Sequence, residues 1–357
     1  MILGRVVARV TGKEYDQPYN DTVFAPLGME SSFVNGPLEP PLLNRSVVAG
    51  PLEGSWNFPT NGYALPSGCI LSTVNDLNKL GIAILNNTLL TPETTRLWMK
   101  PHSHTASLSY SIGAPWEIVR YTNPATGKVT DIYGKLGDSG AYGGALAVIP
   151  EYGAGISFLN AFYEPAGAPQ TRGQLALEMI NVIVETVVPA LEAQAAKQAT
   201  AGYVGVYAAI DPAANTTLVV APAPVNGTSG LRIQSWISNG TDMLATFFSD
   251  VTPRLLPSIP KQTPAGTSGE VVFQASIRTE ASSYAAAGSG PFSGFYSTNF
   301  DWATYDGQRY GGEGLSTFRF EISGGECAVA VTNAAARMRM LKVEKRAVSS
   351  YIRDGLA

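Results

Sequence analysis

The chain has 357 residues, which at about 150 residues per domain leaves room for two or three domains with buried cores and no need of disulfide or metal staples. Only 15% of residues are charged and the net charge is −4, so there is no basic footprint for nucleic acid. Two Cys and two His exclude a zinc-finger array, a disulfide scaffold and an imidazole-rich metal centre, while 45% apolar residues argue for a folded chain.

Residues 2–10 are apolar at helical spacing (Ile2, Leu3, Val6, Val7, Val10), with Gly12 as a stop. Arg5 and Arg9 interrupt the run, so it is not a signal peptide. Thr73 is placed to cap a helix over 74–85 whose face is Val74, Leu77, Leu80, Gly81, Ile84 and Leu85. Thr91-Pro92 begins a shorter helix. Residues 116–121 and 128–135 form a hairpin around Asn123–Gly127, and 143–150 pairs antiparallel with 154–161 across Glu151–Gly153. A long helix follows over 174–197; Glu185 and Pro189 break its apolar run, so no membrane span is expected.

From Tyr203 the pattern changes to short alternating runs at 217–221, 231–237, 243–248, 270–277, 316–322 and 328–331, which read as the strands of an all-β barrel or sandwich. The boundary falls near 196–202. The fold expected is α+β, an antiparallel sheet flanked by helices over 1–197, followed by an all-β domain over 198–357.

Six Asn-x-Ser/Thr sequons begin at Asn20, Asn44, Asn86, Asn215, Asn226 and Asn239. With the low charge and scarce Cys they predict a secreted, glycosylated protein of eukaryotic type. Secretory features without a leader lead to the expectation that residues upstream of Met1 are missing.

The stretch Ile132–Gly144 carries the most chemistry. It sets Lys135 near the end of a strand, then Gly137-Asp138-Ser139-Gly140, then the next strand. A Lys there supplies positive charge, and a backbone N–H at Asp138 could stabilise an oxyanion; an ordinary exposed Lys at a Gly-rich turn is the bland alternative. Phe24-Ala-Pro-Leu-Gly-Met29, Pro66-Ser-Gly-Cys-Ile-Leu-Ser-Thr-Val-Asn-Asp76-Leu, Lys135-Leu-Gly137 and Ala147–Gly153 follow in that order. Together they resemble the beta-lactamase-related family of class C beta-lactamases, DD-peptidases and esterases, in its secreted fungal form with an extra β-domain; Gly230–Asp242 resembles that domain.

The resemblance implies a partial beta-lactamase/penicillin-binding-protein-like domain. It also implies Ser attack on an amide or ester carbonyl, an acyl-enzyme, and hydrolysis or acyl transfer. Lys135, Gly137 and the Asp138 N–H are the site residues it supplies; no cofactor is implied, and the partner is a small-molecule amide or ester. The family's Ser-x-x-Lys and Tyr-x-Asn lie upstream of everything matched. Position 136 is Leu where the family has Ser or Thr, removing a hydroxyl that would contact a substrate carboxylate, and Cys69 replaces a Gly.

Substitutes within the chain are poor. Ser258-Ile-Pro-Lys261 sits among three prolines that preclude a helix, and activation requires nucleophile and base within hydrogen-bond reach. Tyr121-Thr-Asn123 leads into a hairpin turn. Gly137-Asp-Ser-Gly140 is similar to a trypsin-like nucleophile loop, but the only His, His102 and His104, lie in a loop that suits neither a triad nor a metal site. Tyr296, Phe300, Trp302, Tyr305 and Tyr310 could stack a glycan or apolar ligand, or pack the β-domain. Arg337, Arg339, Lys342, Lys345 and Arg346 read as a solvated strand face and tail. Cys69 and Cys327 lie in different domains. The reading is a beta-lactamase-related serine hydrolase whose chain lacks its nucleophile and is inactive. The alternative is a non-catalytic binding protein for a hydrophobic metabolite or glycan.

Overall fold

The computed structural model describes residues 2–34, 44–50, 66, 68, 70–139, 141–162, 172–222, 230–248, 253–258, 268–276, 307–324 and 327–343. They divide into two compact units, residues 1–123 with 129–190 and residues 124–128 with 191–357.

In the first unit, α1 (Ile2–Thr11) ends at Gly12, whose φ of 66° suits a residue without Cβ and whose amide donates to Ala8 at 2.9 Å. The helix packs through Gly4, where a Cβ would meet the Pro66 ring at 2.4 Å. Its apolar stripe is not the packing face, since Ile2, Leu3 and Val10 are 79–80% exposed. α2 (Asp16–Tyr19) continues through a π-turn into α3 (Ala25–Leu27), and Gly28 turns the chain out at φ 63°. Phe24, Met29 and Val34 form a small core with Tyr15, Tyr19 and Leu80. β1 (Phe33–Val34) pairs antiparallel with β2 (Ile70–Leu71).

α4 (Val74–Leu85) starts as expected at Thr73, whose hydroxyl accepts the Asp76 N–H at 3.3 Å. Its inward face is largely the expected one: Gly81 is buried and Leu80, Ile84 and Leu85 pack on the cores, whereas Val74 is exposed and Asp76 and Ala83 are buried in addition, the Asp76 carboxylate being held by Ser31 and Ser32. Thr73→Ala should lower stability by about 1 kcal/mol, read as a shift of the denaturant midpoint without a change of slope. α5 (Pro92–Trp98) is capped by Thr91.

β3 (Ser103–His104), β4 (Tyr110–Ile112), β5 (Glu117–Thr122), β6 (Val129–Ser139), β7 (Tyr142–Ile149) and β8 (Ala154–Ala161) lie in sequence order in one antiparallel sheet. Both expected hairpins are present, with Gly127 (φ 72°) and Gly153 (φ 60°) in their turns. α4 packs on the face bearing Leu146 and Val148; a Cβ at Gly81 would stand 3.3 Å from Leu146. Trp116, Ile118 and Val148 form the core there with Ile84, Leu85, Trp98 and Tyr133.

α6 (Arg172–Tyr203) is longer than expected: the Ala-rich stretch 196–202, read as a boundary, is its last two turns. Glu185 and Pro189 do not interrupt it. Its segment Leu177–Tyr203 is long and apolar enough to cross a membrane by length and composition alone, contrary to the reading of those residues as breaks. Within the second unit, Ala199 and Tyr203 pack on the barrel core.

That unit contains β9 (Gly205–Ala209), β10 (Thr217–Ala221), β11 (Leu231–Ser238), β12 (Thr241–Asp242), β13 (Arg254–Pro257), β14 (Gly269–Ser276), the small β15 (Arg309–Tyr310) and β16 (Glu313–Gly314) pair, β17 (Thr317–Ile322), β18 (Ala328–Asn333) and β19 (Arg339–Lys342). The order β10-β9-β19-β18-β17-β14-β13-β11 closes through β11–β10 pairing into an eight-stranded antiparallel barrel, and β12 extends β11. The expected barrel is therefore present. β9, β13 and β19 were missed because they are short and carry Ala, Pro or charge where apolar alternation is looked for. Residues 243–248 are a correction: α7 (Met243–Phe247) replaces the expected strand, since the Asp242 carboxylate accepts the N–H of Leu244 (2.9 Å) and Ala245 (3.1 Å) as a helix cap. The barrel interior is filled by its own side chains, including Tyr207, Trp236, Phe318 and Phe320. On its outside Arg339 makes a two-pronged ion pair with Glu321 at 2.7 Å, so the basic stretch is, at this residue, a solvated strand face.

Candidate active-site edge

β6 is the longest strand of the first unit, and its neighbours differ in length. β7 pairs with it from Tyr133 to Ser139, whereas β5 pairs with it only from Val129 to Gly134. Residues 135–139 therefore overhang β5. β5 begins only at Glu117 because residues 113–116 are the turn that joins it to β4, with the Gly113 N–H donating to Trp116 O at 2.8 Å. Side chains take over instead. The Leu136 N–H donates to the Glu117 carboxylate at 2.9 Å, and the Lys135 ammonium donates to the Leu136 carbonyl at 2.8 Å. The same ammonium forms an ion pair with Glu117. Alternation along the strand places the Asp138 amide on the same side as that of Leu136.

Asp138 lies opposite Gly143, and Gly143 opposite Asn160. A Cβ at Gly143 would stand 2.3 Å from Asn160 Oδ1, and one at Gly144 would stand 2.8 Å from Leu159. A side chain at either glycine would have to displace the end of the Asn160 or Leu159 side chain. At Gly137 a Cβ meets only Gly144 O at 3.8 Å. Both amide atoms of Asn160 are buried with no hydrogen-bond partner among the described residues.

A second cluster joins two of the motifs that marked the sequence. Asp76 of α4 accepts the Ser31 N–H at 2.8 Å, the Ser32 hydroxyl at 2.9 Å and the Lys79 ammonium at 3.0 Å. Lys79 also donates to Gly28 O, and the Ser32 and Ser72 hydroxyls are 2.7 Å apart. Burial pushes the Asp76 carboxyl up, but Lys79, the Ser31 amide and Ser32 outweigh it and hold it below the usual carboxylate value.

The structure thus brings Lys135 and Asp138 to one edge, and adds Glu117, which sequence reasoning placed in a strand without a role. No local motif marks it, and its place is legible only once the β5–β6 register is known. His102 and His104 are exposed, His104 on β3 and His102 just before it, and β3 is separated from β6 by β4 and β5; His104 contacts Ser111 at 3.1 Å. Among the described residues no group of His, Cys, Asp or Glu could hold a metal. Ser258 directly follows β13, its N–H bonded to Val272 O at 2.9 Å, and belongs to the second unit; Lys261 lies outside the described residues. So do Cys69, Gly140, Tyr296, Phe300, Trp302, Tyr305, Lys345 and Arg346, while Tyr310 is exposed on β15. Asn20, Asn44, Asn86, Asn215 and Asn239 are exposed, and Asn226 lies outside the described residues.

Residues 1–178 match the family model "Beta-lactamase", and residues 195–344 match "Beta-lactamase-like-like, C-terminal domain". A "Beta-lactamase-like protein" of Arthroderma benhamiae is 32% identical over 247 residues, 67% of this chain and 39% of that protein. "Probable hydrolase clz13" of Cochliobolus lunatus is 26% identical over 247 residues, 68% of this chain and 37% of that protein. The chain thus spans less than two fifths of the length of these relatives. Among solved structures, a D-amino acid amidase from Ochrobactrum anthropi SV3 is similar at 24% identity, with TM-score 0.41 over 53% of this chain and 55% of that one. An octameric penicillin-binding protein homologue from Pyrococcus abyssi covers 95% of this chain and 63% of its own at 15% identity and TM-score 0.37. With both of its parts matched by models of one kind, in the order in which the motifs run, the chain belongs to the beta-lactamase-related serine hydrolase family.

Proposed function

We propose that this chain carries the oxyanion and substrate side of a serine hydrolase that cleaves amides or esters, or transfers their acyl group, through an acyl-enzyme. One observation carries the reading: the overhang of β6, where Lys135 and the Asp138 amide share an edge that β5 leaves uncovered. A cation and a fixed N–H at one edge are the groups that stabilise charge developing on a carbonyl oxygen. The relatives named as a beta-lactamase-like protein and a probable hydrolase support the same chemistry.

The 357-residue polypeptide on its own forms no acyl-enzyme. Its one Ser-x-x-Lys is Ser258–Lys261, and Ser258 directly follows the barrel strand β13 and opens no helix. Incubation with a fluorophosphonate or a penicillin is expected to leave every Ser unlabelled by mass spectrometry; stoichiometric label at one Ser would overturn this. The genomic sequence 5′ of the Met1 codon separates the two readings: an in-frame Ser-x-x-Lys followed by Tyr-x-Asn supports the hydrolase, and its absence the non-catalytic binding protein. The exposed sequons support secretion and glycosylation, so peptide N-glycosidase should lower the apparent mass of protein from its native source.

A further inference from the structure

The carboxylate that plugs the β6 edge also determines what that edge can accept. β5 begins at Glu117, directly after the turn that joins it to β4, and the two backbone groups of Leu136 are served by Glu117 and Lys135. One oxygen of Glu117 takes the Leu136 N–H and the other takes the Lys135 ammonium. An ammonium beside a backbone N–H is the donor set that an anion seeks. Here a resident anion already holds it. Both side chains are about half exposed (49% for Lys135, 45% for Glu117), so the pair adds little to folding stability. Its consequence is electrostatic. A ligand carboxylate would have to displace Glu117 and then lie beside its negative charge, and Leu136 offers no hydroxyl in compensation.

We propose that Glu117 is a specificity-determining residue that makes this edge selective for neutral acyl substrates, esters or amides with no carboxylate next to the scissile carbonyl. The proposal rests on the reading of the edge as the substrate side of a hydrolase site. A neutral carbonyl brings no charge to compete with Glu117 and leaves its ion pair with Lys135 in place.

The test is an amide-resolved NMR titration of the ¹⁵N-labelled 357-residue chain and of Glu117→Gln with N-acetylalanine and with its methyl ester. Glu117→Gln keeps the side-chain size at a half-exposed position, and the remainder of the spectrum reports whether the fold is retained. In the unaltered chain the ester is expected to shift the Gly137 and Asp138 amides at lower concentration than the acid. In Glu117→Gln the acid should bind about tenfold more tightly, with the ester changed less than about twofold. Adding Lys135→Met should abolish the gain, which a merely structural role for Glu117 would not explain. Ester binding in both proteins, with acid affinity unmoved by Glu117→Gln or a gain that survives Lys135→Met, would overturn the proposal alone. If neither compound shifts Gly137 or Asp138 in either protein, the substrate-edge reading is overturned and the proposal with it.

Discussion

Phe320→Ala is expected to destabilise the barrel by about 3–5 kcal/mol, the range for truncating a buried aromatic in a packed core. Phe320 is fully buried, with its ring 5.3 Å from Tyr203, 5.7 Å from Tyr207 and 5.2 Å from Phe273. It faces inward from β17, whose Arg319 and Glu321 face out. A closed barrel has no edge strand to slide into the void, so the cavity persists. The chain has two units, so global unfolding need not be two-state. Hydrogen exchange of the β17 and β18 amides reads the affected unit directly. Those amides should lose protection by more than a hundredfold while β6–β8 amides keep theirs; uniform loss across both units, or a loss under tenfold, would show that Phe320 is not a keystone of a separately stabilised barrel.

Asp76→Ala carries the second large effect, about 2–3 kcal/mol on the first unit. The substitution takes the acceptor from the Ser31 N–H and one partner each from the buried Ser32 hydroxyl, which keeps Ser72, and from the part-exposed Lys79, which keeps Gly28 O; a donor left unpaired costs more than its bond contributes. It also unties the Gly28–Ser32 segment from the start of α4. The pH dependence follows from the direction of the shift. The folded carboxyl titrates below its unfolded value of about 3.9, so the unfolded chain binds the proton more readily. Its contribution is fully present above that value and is lost as pH falls through the lower, folded one. The stability gap between the native chain and Asp76→Ala should be constant from pH 8 to about pH 5 and shrink toward pH 3. A gap that widens on acidification would show that the carboxylate is destabilising where it lies.

Much of the architecture is legible from local chemistry. The Thr73 and Thr91 caps, the hairpins at Gly127 and Gly153, and the barrel strands with clear alternation follow from propensities acting over a few residues. Where local signals were ambiguous the reading failed. Met243–Phe247 satisfies a strand pattern as well as a short helix, and one aspartate cap decides between them. Leu, Ala and Val in α6 outweigh Glu185 and Pro189 as breaks. The candidate site divides in the same way. Lys135, Gly137 and Asp138 stand out as a motif within five residues, whereas Glu117 is eighteen positions from Lys135 and acquires its place only when β5 and β6 pair.

From its sequence alone this protein is a low-charge, His-poor chain whose ordered motifs mark the beta-lactamase-related family and whose second half alternates like a barrel. Those properties reside in composition and in short-range periodicity. Only the tertiary structure decides that the barrel closes, that Asp76 is drawn into the interior, and that β5 pairs with β6 no further than Gly134. Each depends on contacts between residues well apart in the chain: the β10–β11 pairing, the 45-residue step from Ser31 to Asp76, and the β5–β6 register that ends at Glu117 and Gly134. Register is a property of two strands together, and so the carboxylate at the β6 edge is visible only in the fold.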